Sequence, residues 1–241
     1  MAANGANGLR FFQVKISNNQ ADGILAMPLR RLTNLLEDND CIDNQLYFTA
    51  TERLYELEPT AISASKIGKM YIAKKQYKVA ISYFDKAIQL QQDSSVKAKY
   101  FLQLAEANIL LGLYSNARKA IYSSIELNSD WGKPYMVLGN LYVSASKSCG
   151  NSFQQATVYW VAVDAFRMAL NYEETAEDAN KRINTYSRYF PTKTDCFSNT
   201  TPQFKEKYNL PENYIISAGD TYTVECWINK STIVRLSPET N

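Results

Sequence analysis

The sequence predicts an all-α fold: a right-handed α-α superhelix of helix hairpins, closed by a capping helix and followed by a small C-terminal β-hairpin. Three observations lead there. The same residue types return at the same internal offsets in successive stretches, and the apolar positions within each stretch recur at helical spacing. After Cys196 short alternating runs replace the helical ones. A chain of 241 residues whose repeats bury their apolar faces only against neighbours is expected to form one continuous domain with a C-terminal appendage.

Residues 1–23 read as a leader and the remnant of a preceding element. Met1 to Gly8 is rich in Ala, Asn and Gly, Leu9 to Ile16 is apolar, and Ser17 to Gly23 is turn-rich. From residue 24, Leu25, Leu29, Leu32, Leu35 and Leu36 form one helical face. Asn39 to Asn44 breaks it, and a second helix passes through Leu46, Ala50, Leu54 and Leu57 to Pro59, which cannot continue a helix. Residues 24–59 are therefore a degenerate hairpin.

The first well-formed unit has helix A from Ala61 to Ala73 and helix B from Tyr77 to Leu90. Small residues at Gly68, Ala80 and Ala87 let the helices approach, and Tyr71, Tyr77 and Phe84 fill the space between them. The second unit, Val96 to Leu111 and Asn116 to Leu127, carries Ala105 and Ile121 where the first has Gly68 and Phe84, each 37 residues later; the extra residues fall in Gln91 to Ser95. The third opens at Trp131-Gly132-Lys133-Pro134, where proline suits a first helical turn. Gly139 follows Ala105 by 34 residues, but Phe166 follows Ile121 by 45, so about eleven residues are inserted near 146–156, some of them lengthening helix B at its start.

The capping helix runs from Glu173 to Phe190, acidic in its first turns and basic later, as the helix dipole favours, and Pro191 stops it. Units and cap together occupy 60–195. In 196–241, Ser198 to Pro202 and Pro211 to Asn213 read as loops. Thr221 to Ile228 and Thr232 to Leu236 read as strands about a turn at Asn229 to Ser231. An isolated hairpin is marginal in water, so this one is expected to pack on the last helices.

The recurring set, Ile67-Gly68, Tyr71, Tyr77, Ala80, Phe84 and Ala87, then Leu104-Ala105, Asn108, Gly112, Tyr114, Ala117, Ile121 and Ser124, resembles the tetratricopeptide repeat (TPR), whose unit is roughly 34 residues. A narrower resemblance rests on Trp131 to Tyr135, Gly139 to Tyr142, Cys149-Gly150, Tyr159 to Asp164, Tyr186 to Pro191, Tyr222 to Ile228 and Thr232 to Arg235. These look like the C-terminal half of exported Bacteroidetes TPR proteins of unknown function, over residues 24–236. That resemblance implies a periplasmic or cell-envelope location and a chain that is the C-terminal portion of a longer protein.

Composition narrows the function. The 26 basic and 24 acidic residues nearly cancel, so no global field points to nucleic acid or a membrane surface, and the absence of histidine removes His-based catalysis and His-ligated metal. The four cysteines lie far apart with no Cys-x-x-Cys pair. In an oxidising compartment they allow three pairings, and in a reducing one they read as small buried hydrophobes. No apolar run is long enough to span a membrane and no signal pattern opens the chain. The paired carboxylates Glu173-Glu174 and Glu177-Asp178 are accounted for by the helix dipole, and we expect no enzyme, no cofactor and no metal.

The candidate partner-binding groove is the concave face carried by the A helices: Lys69 and Ile72 in the first unit, Lys99, Leu102 and Glu106 in the second, Lys133, Met136 and Asn140 in the third. Several of these could equally be covered by neighbouring helices. Lys69 stands where the chaperone-binding clamp of some TPR proteins needs asparagine, so that clamp is not expected. Ala61 to Ala120 holds ten basic and three acidic residues, against three and eight in Ala21 to Thr60. Either this is the ordinary charge of solvated helix faces, or a basic middle receives an acidic partner segment. The inserted loop at Cys149 and Gly150 is either a binding element or a structural tie to Cys196 or Cys226.

The leading reading is a non-enzymatic scaffold of the bacterial envelope that binds a peptide or protein, associating at most peripherally with a membrane complex and not with nucleic acid. The alternative is an accessory subunit or glycan-binding module for envelope polysaccharide, with the C-terminal hairpin and Trp227 as its contact.

Overall fold

The computed structural model describes residues 22–238; the leader and apolar segment read at residues 1–21 lie outside them. Eleven helices and one hairpin follow in order: α1 (Asp22–Asp38), α2 (Gln45–Leu57), α3 (Ala61–Ala73), α4 (Tyr77–Leu90), α5 (Ser94–Leu110), α6 (Tyr114–Leu127), α7 (Lys133–Ala145), α8 (Ser152–Ala169), α9 (Glu173–Tyr186), α10 (Lys193–Asn199), α11 (Pro202–Lys207), β1 (Thr221–Val224) and β2 (Lys230–Ile233). One-turn 3₁₀ helices at Ser146–Ser148 and Ser187–Tyr189 follow α7 and α9. Where the sequence suggests one continuous domain, the packing divides into two compact units, with the boundary between Ala107 and Asn108, inside α5.

Local chemistry sets the helix ends. Thr60 and Ser63 form a reciprocal capping box at α3, Asn151 and Gln154 do so at α8, and Asn44 accepts from the Tyr47 amide at α2. The A-to-B turns share one device. After α1, α3 and α5 a single residue takes positive φ, Asp40 (54°), Lys75 (58°) and Gly112 (79°) respectively. In each case the next residue's amide reaches back five places, Cys41 to Leu36, Gln76 to Tyr71 and Leu113 to Asn108, which is the Schellman pattern. The degenerate hairpin of residues 24–59 is therefore built like the regular units. In the inserted unit the 3₁₀ turn replaces this device.

In the first unit α2, α3 and α4 pack in succession, with Ala64, Ile67, Ala80, Phe84 and Ala87 buried. A Cβ placed on Gly68 would meet the Phe84 ring at 2.6 Å, so glycine is what allows α3 and α4 to close. The second unit repeats this contact: a Cβ on Gly139 would meet Phe166 at 2.4 Å, bringing α7 and α8 together despite the eleven residues inserted between them.

Residues 190–236 complete the second unit's core. Phe153, Trp160 and Val163 of α8 share one buried cluster with Phe190, Cys196, Ile216 and Val234. Three sequence readings are corrected. The strands are shorter than read, and Glu225 to Asn229 form the connecting loop, since Cys226 and Asn229 take positive φ there. Ser198 to Pro202, read as loop, spans the end of one short helix, Lys193–Asn199, begun by the Thr192–Asp195 capping box, and the start of another, Pro202–Lys207, begun by Thr201. The capping helix ends at Tyr186, four residues early.

Candidate functional site

The first unit holds a concavity of about 640 Å³ under the α1–α2 turn, walled by Ile42, Asp43 and Asn44, by Tyr47 and Phe48 of α2, and by Lys66, Lys69, Met70, Ala73 and Lys74 on and just after α3. Its placement follows from the elements. The Asp40 turn reverses the chain, Asn44 starts α2 with Tyr47 and Phe48 in its first turn, and Lys66, Lys69 and Ala73 recur at helical spacing on α3.

Three charges of the cleft, Glu37, Lys66 and Lys74, are held in place. Glu37 accepts hydrogen bonds from Lys66 and, at 2.6 Å, from the Tyr47 hydroxyl. Burial alone would raise the Glu37 pKa, but the bonds from Lys66 and Tyr47 and the Lys66 charge outweigh it and hold the carboxyl below its usual range. Burial, then the bond to Glu37, pushes the Tyr47 phenol well above its usual value. The Lys74 ammonium stands 3.3 Å from the centre of the Phe48 ring, a cation–π contact. Lys69 is exposed and has no hydrogen-bond or ionic partner among the described residues.

The other candidate groove residues are distributed as follows. In the first unit Lys99 and Glu106 are exposed, Ile72 is half-buried and packs with Ala80 and Phe84, and Leu102 is buried at 3%. In the second Lys133 is exposed, Asn140 accepts from Arg182 at 2.8 Å, and Met136 is buried at 7%. Leu102 and Met136 are therefore core residues rather than contact residues, because both lie on helix faces turned inward. Ile42, Tyr47, Phe48 and Met70, which the sequence reading did not select, line the cleft around Lys69. The signal for Tyr47 and Phe48 was present: an adjacent aromatic pair just inside an asparagine cap.

The inserted loop resolves as a tie. Cys149 bonds Cys226 with Cα atoms 5.4 Å apart across a sequence separation of 77, while Cys196 is buried and Cys41 exposed, both free. The reading of all four as buried hydrophobes thus holds only for Cys196. Around the disulfide, Gly150, Gln154, Thr157, Tyr222 and Glu225 leave a smaller concavity of about 240 Å³.

Trp227, the contact of the glycan reading, is already engaged. Its ring packs near Tyr114 and Tyr142, with the Arg118 guanidinium 5.4 Å away, and its indole nitrogen is enclosed. Trp160 is fully buried and donates to the Arg235 carbonyl at 2.6 Å.

No protein-family model matches the sequence, and no curated protein matches it. Solved structures do. The fold is similar to that in the Cut9–Hcn1 hetero-tetramer of the APC/C, at 16% identity and a TM-score of 0.54, covering 67% of this chain and 30% of that one. It is similar also to MamA, at 18% identity and a TM-score of 0.50, covering 78% and 98%. YrrB, described as a TPR protein with an unusual peptide-binding site, aligns at 18% identity and a TM-score of 0.49 over 68% and 77%. Consecutive helix hairpins, recurring Schellman turns and a small residue set against an aromatic ring define a helical repeat protein. Its fold is the tetratricopeptide fold, and no described helix is long and apolar enough to cross a membrane.

Proposed function

We propose that this chain is a non-enzymatic interaction scaffold of the bacterial cell envelope that holds a peptide or protein partner. The observation that carries this reading is the cleft of the first unit, where an apolar wall and exposed lysine are held on rigid helix hairpins. The Cys149–Cys226 disulfide supports a location outside the reducing cytosol, since such bonds persist in oxidising compartments.

A photo-crosslinkable residue placed at Met70 tests this. Irradiation in the native envelope should yield a discrete crosslinked protein, lost with Lys69→Glu and absent when the crosslinker sits instead at exposed Lys193. Equal crosslinking from both positions, or none from Met70, would remove the cleft as the partner site.

A further inference from the structure

We infer that the first-unit cleft is built for a partner segment that presents one carboxylate beside a bulky apolar side chain. This deepens the scaffold reading and rests on it.

The charges set the count. The cleft wall carries Lys66, Lys69 and Lys74 against Glu37 and Asp43, a surplus of one positive charge. Lys66 is held by Glu37, and Lys74 rests on the Phe48 ring. That leaves Lys69 and Lys74 against Asp43; Lys74 is held on its ring, so Lys69, exposed and three residues from Lys66 on the same helix, is the ammonium best placed to meet a ligand charge. A single carboxylate matches that surplus. A phosphate dianion or a run of acidic residues would bring uncompensated charge against Glu37 and Asp43, which disfavours it.

The uncharged part of the wall sets the second requirement. Ile42 is 43% exposed at the α1–α2 turn although large and apolar, and Tyr47, Phe48, Met70 and Ala73 continue the apolar lining. A volume of about 640 Å³ exceeds what one carboxylate fills, and it lies within the range of pockets that bury most of a small ligand. A methionine in the wall lets it adapt to Leu, Ile or Phe side chains. Lys69 and the Ile42–Met70 surface line one cavity, so the two groups of the partner belong on neighbouring residues of an extended segment.

The test is a displayed library of random ten-residue peptides panned against the full chain, with selected peptides resynthesised and titrated by fluorescence anisotropy. Enrichment of an acidic residue next to Leu, Ile, Phe or Met is expected. Replacing the acid by its amide should weaken binding about tenfold, and replacing the apolar neighbour by serine should weaken it at least as much. Lys69→Glu should abolish binding and Lys69→Gln should weaken it about tenfold, while Lys119→Glu leaves it unchanged; circular dichroism checks that each variant is folded. Selected peptides that are basic or uncharged, or that ignore Lys69, overturn the inference and leave the scaffold reading standing if Met70 still crosslinks a native partner. Failure of both experiments removes both.

Discussion

The contact between Gly139 and Phe166 offers the sharpest test of how the helix hairpins close. An alanine Cβ at 139 would lie 2.4 Å from Phe166 Cε1 and 2.6 Å from Cζ, far inside contact distance, and Phe166 is fully buried with no room to swing aside. Two effects oppose each other. Replacing glycine within a helix should stabilise by about 0.5–1 kcal/mol, whereas overpacking a filled core costs about 1–3 kcal/mol. The balance is a net loss of about 1 kcal/mol for Gly139→Ala. Phe166→Leu alone should cost about 1–2 kcal/mol by leaving a void. The two together should cost less than the sum, by about 0.5–1 kcal/mol, because the smaller side chain accepts the new methyl. Urea unfolding followed by circular dichroism gives all four corners of this cycle. Gly68→Ala with Phe84→Leu should repeat the pattern in the first unit, where the corresponding approach is 2.6 Å. A Gly139→Ala protein more stable than its parent, or an additive cycle, would show that glycine is not what brings α7 and α8 together.

The disulfide closes a loop of 77 residues, so removing it by Cys149→Ser with Cys226→Ser should lower stability by up to about 4 kcal/mol, read from unfolding with and without reductant. Alkylation followed by intact mass should label Cys41 alone in the native protein, since burial pushes the Cys196 thiol up to about 11; unfolding should add one label and reduction two more. Burial, with lesser help from neighbouring carboxylates or phenols, raises Tyr71, Tyr208, Tyr214 and Tyr222 to about 12. Their contribution is therefore fully present below about pH 10 and lost as the pH climbs towards 12; tyrosinate absorbance should rise together with unfolding. Asp195 and Glu225 are held low mainly by bonds from Thr192 and from Lys207 and Tyr208, and Glu37 by its two donors against burial. Their contribution is present above about pH 4 and fades as the pH falls below it, measured as the acid limb of the melting temperature. Arg235→Met leaves the partly buried Asp164 without its cation and should cost about 2 kcal/mol in urea unfolding, while adding Asp164→Leu should recover part of that loss.

How much of this the sequence disclosed depends on the range of the interaction. The bounds of α3 and α4 coincide with those read from spacing, because apolar periodicity, the Thr60 cap and the turn are all local signals. The Gly139–Phe166 contact was legible as well, since a repeat carries its own template and the eleven extra residues show as a broken offset. Long-range choices were not. Four cysteines allow three pairings, and nothing local favours Cys149 with Cys226. Cys226-Trp227-Ile228 alternates like a strand, but the disulfide and the packing of Trp227 on Tyr114 and Tyr142 hold it as a loop. Of the cleft's lining, Lys69 is selected from its helix position, as part of a concave groove. Ile42, Tyr47 and Phe48 were missed because they lie in the hairpin whose repeat positions have drifted furthest from the pattern.

The insertion and the C-terminal hairpin, which look unrelated along the chain, are two halves of one packing solution. With 18 residues α8 is longer than the 14-residue α4 and α6, and the added length at its start brings Phe153 and Thr157, followed by Trp160 in the first turn of the regular repeat span. Phe153 and Trp160 each meet the Tyr222 ring edge-on, and the Trp160 indole donates to the Arg235 carbonyl. One turn further on, Asp164 accepts from Thr232 and from the Arg235 guanidinium. Two strands of four residues do not stand alone in water, and an extended α8 without them would expose an indole and a phenylalanine. Each part thus supplies the surface the other lacks, and the Cys149–Cys226 bond joins the start of one to the tip of the other. This physical dependence accounts for the two departures from a plain repeat occurring together in the second unit.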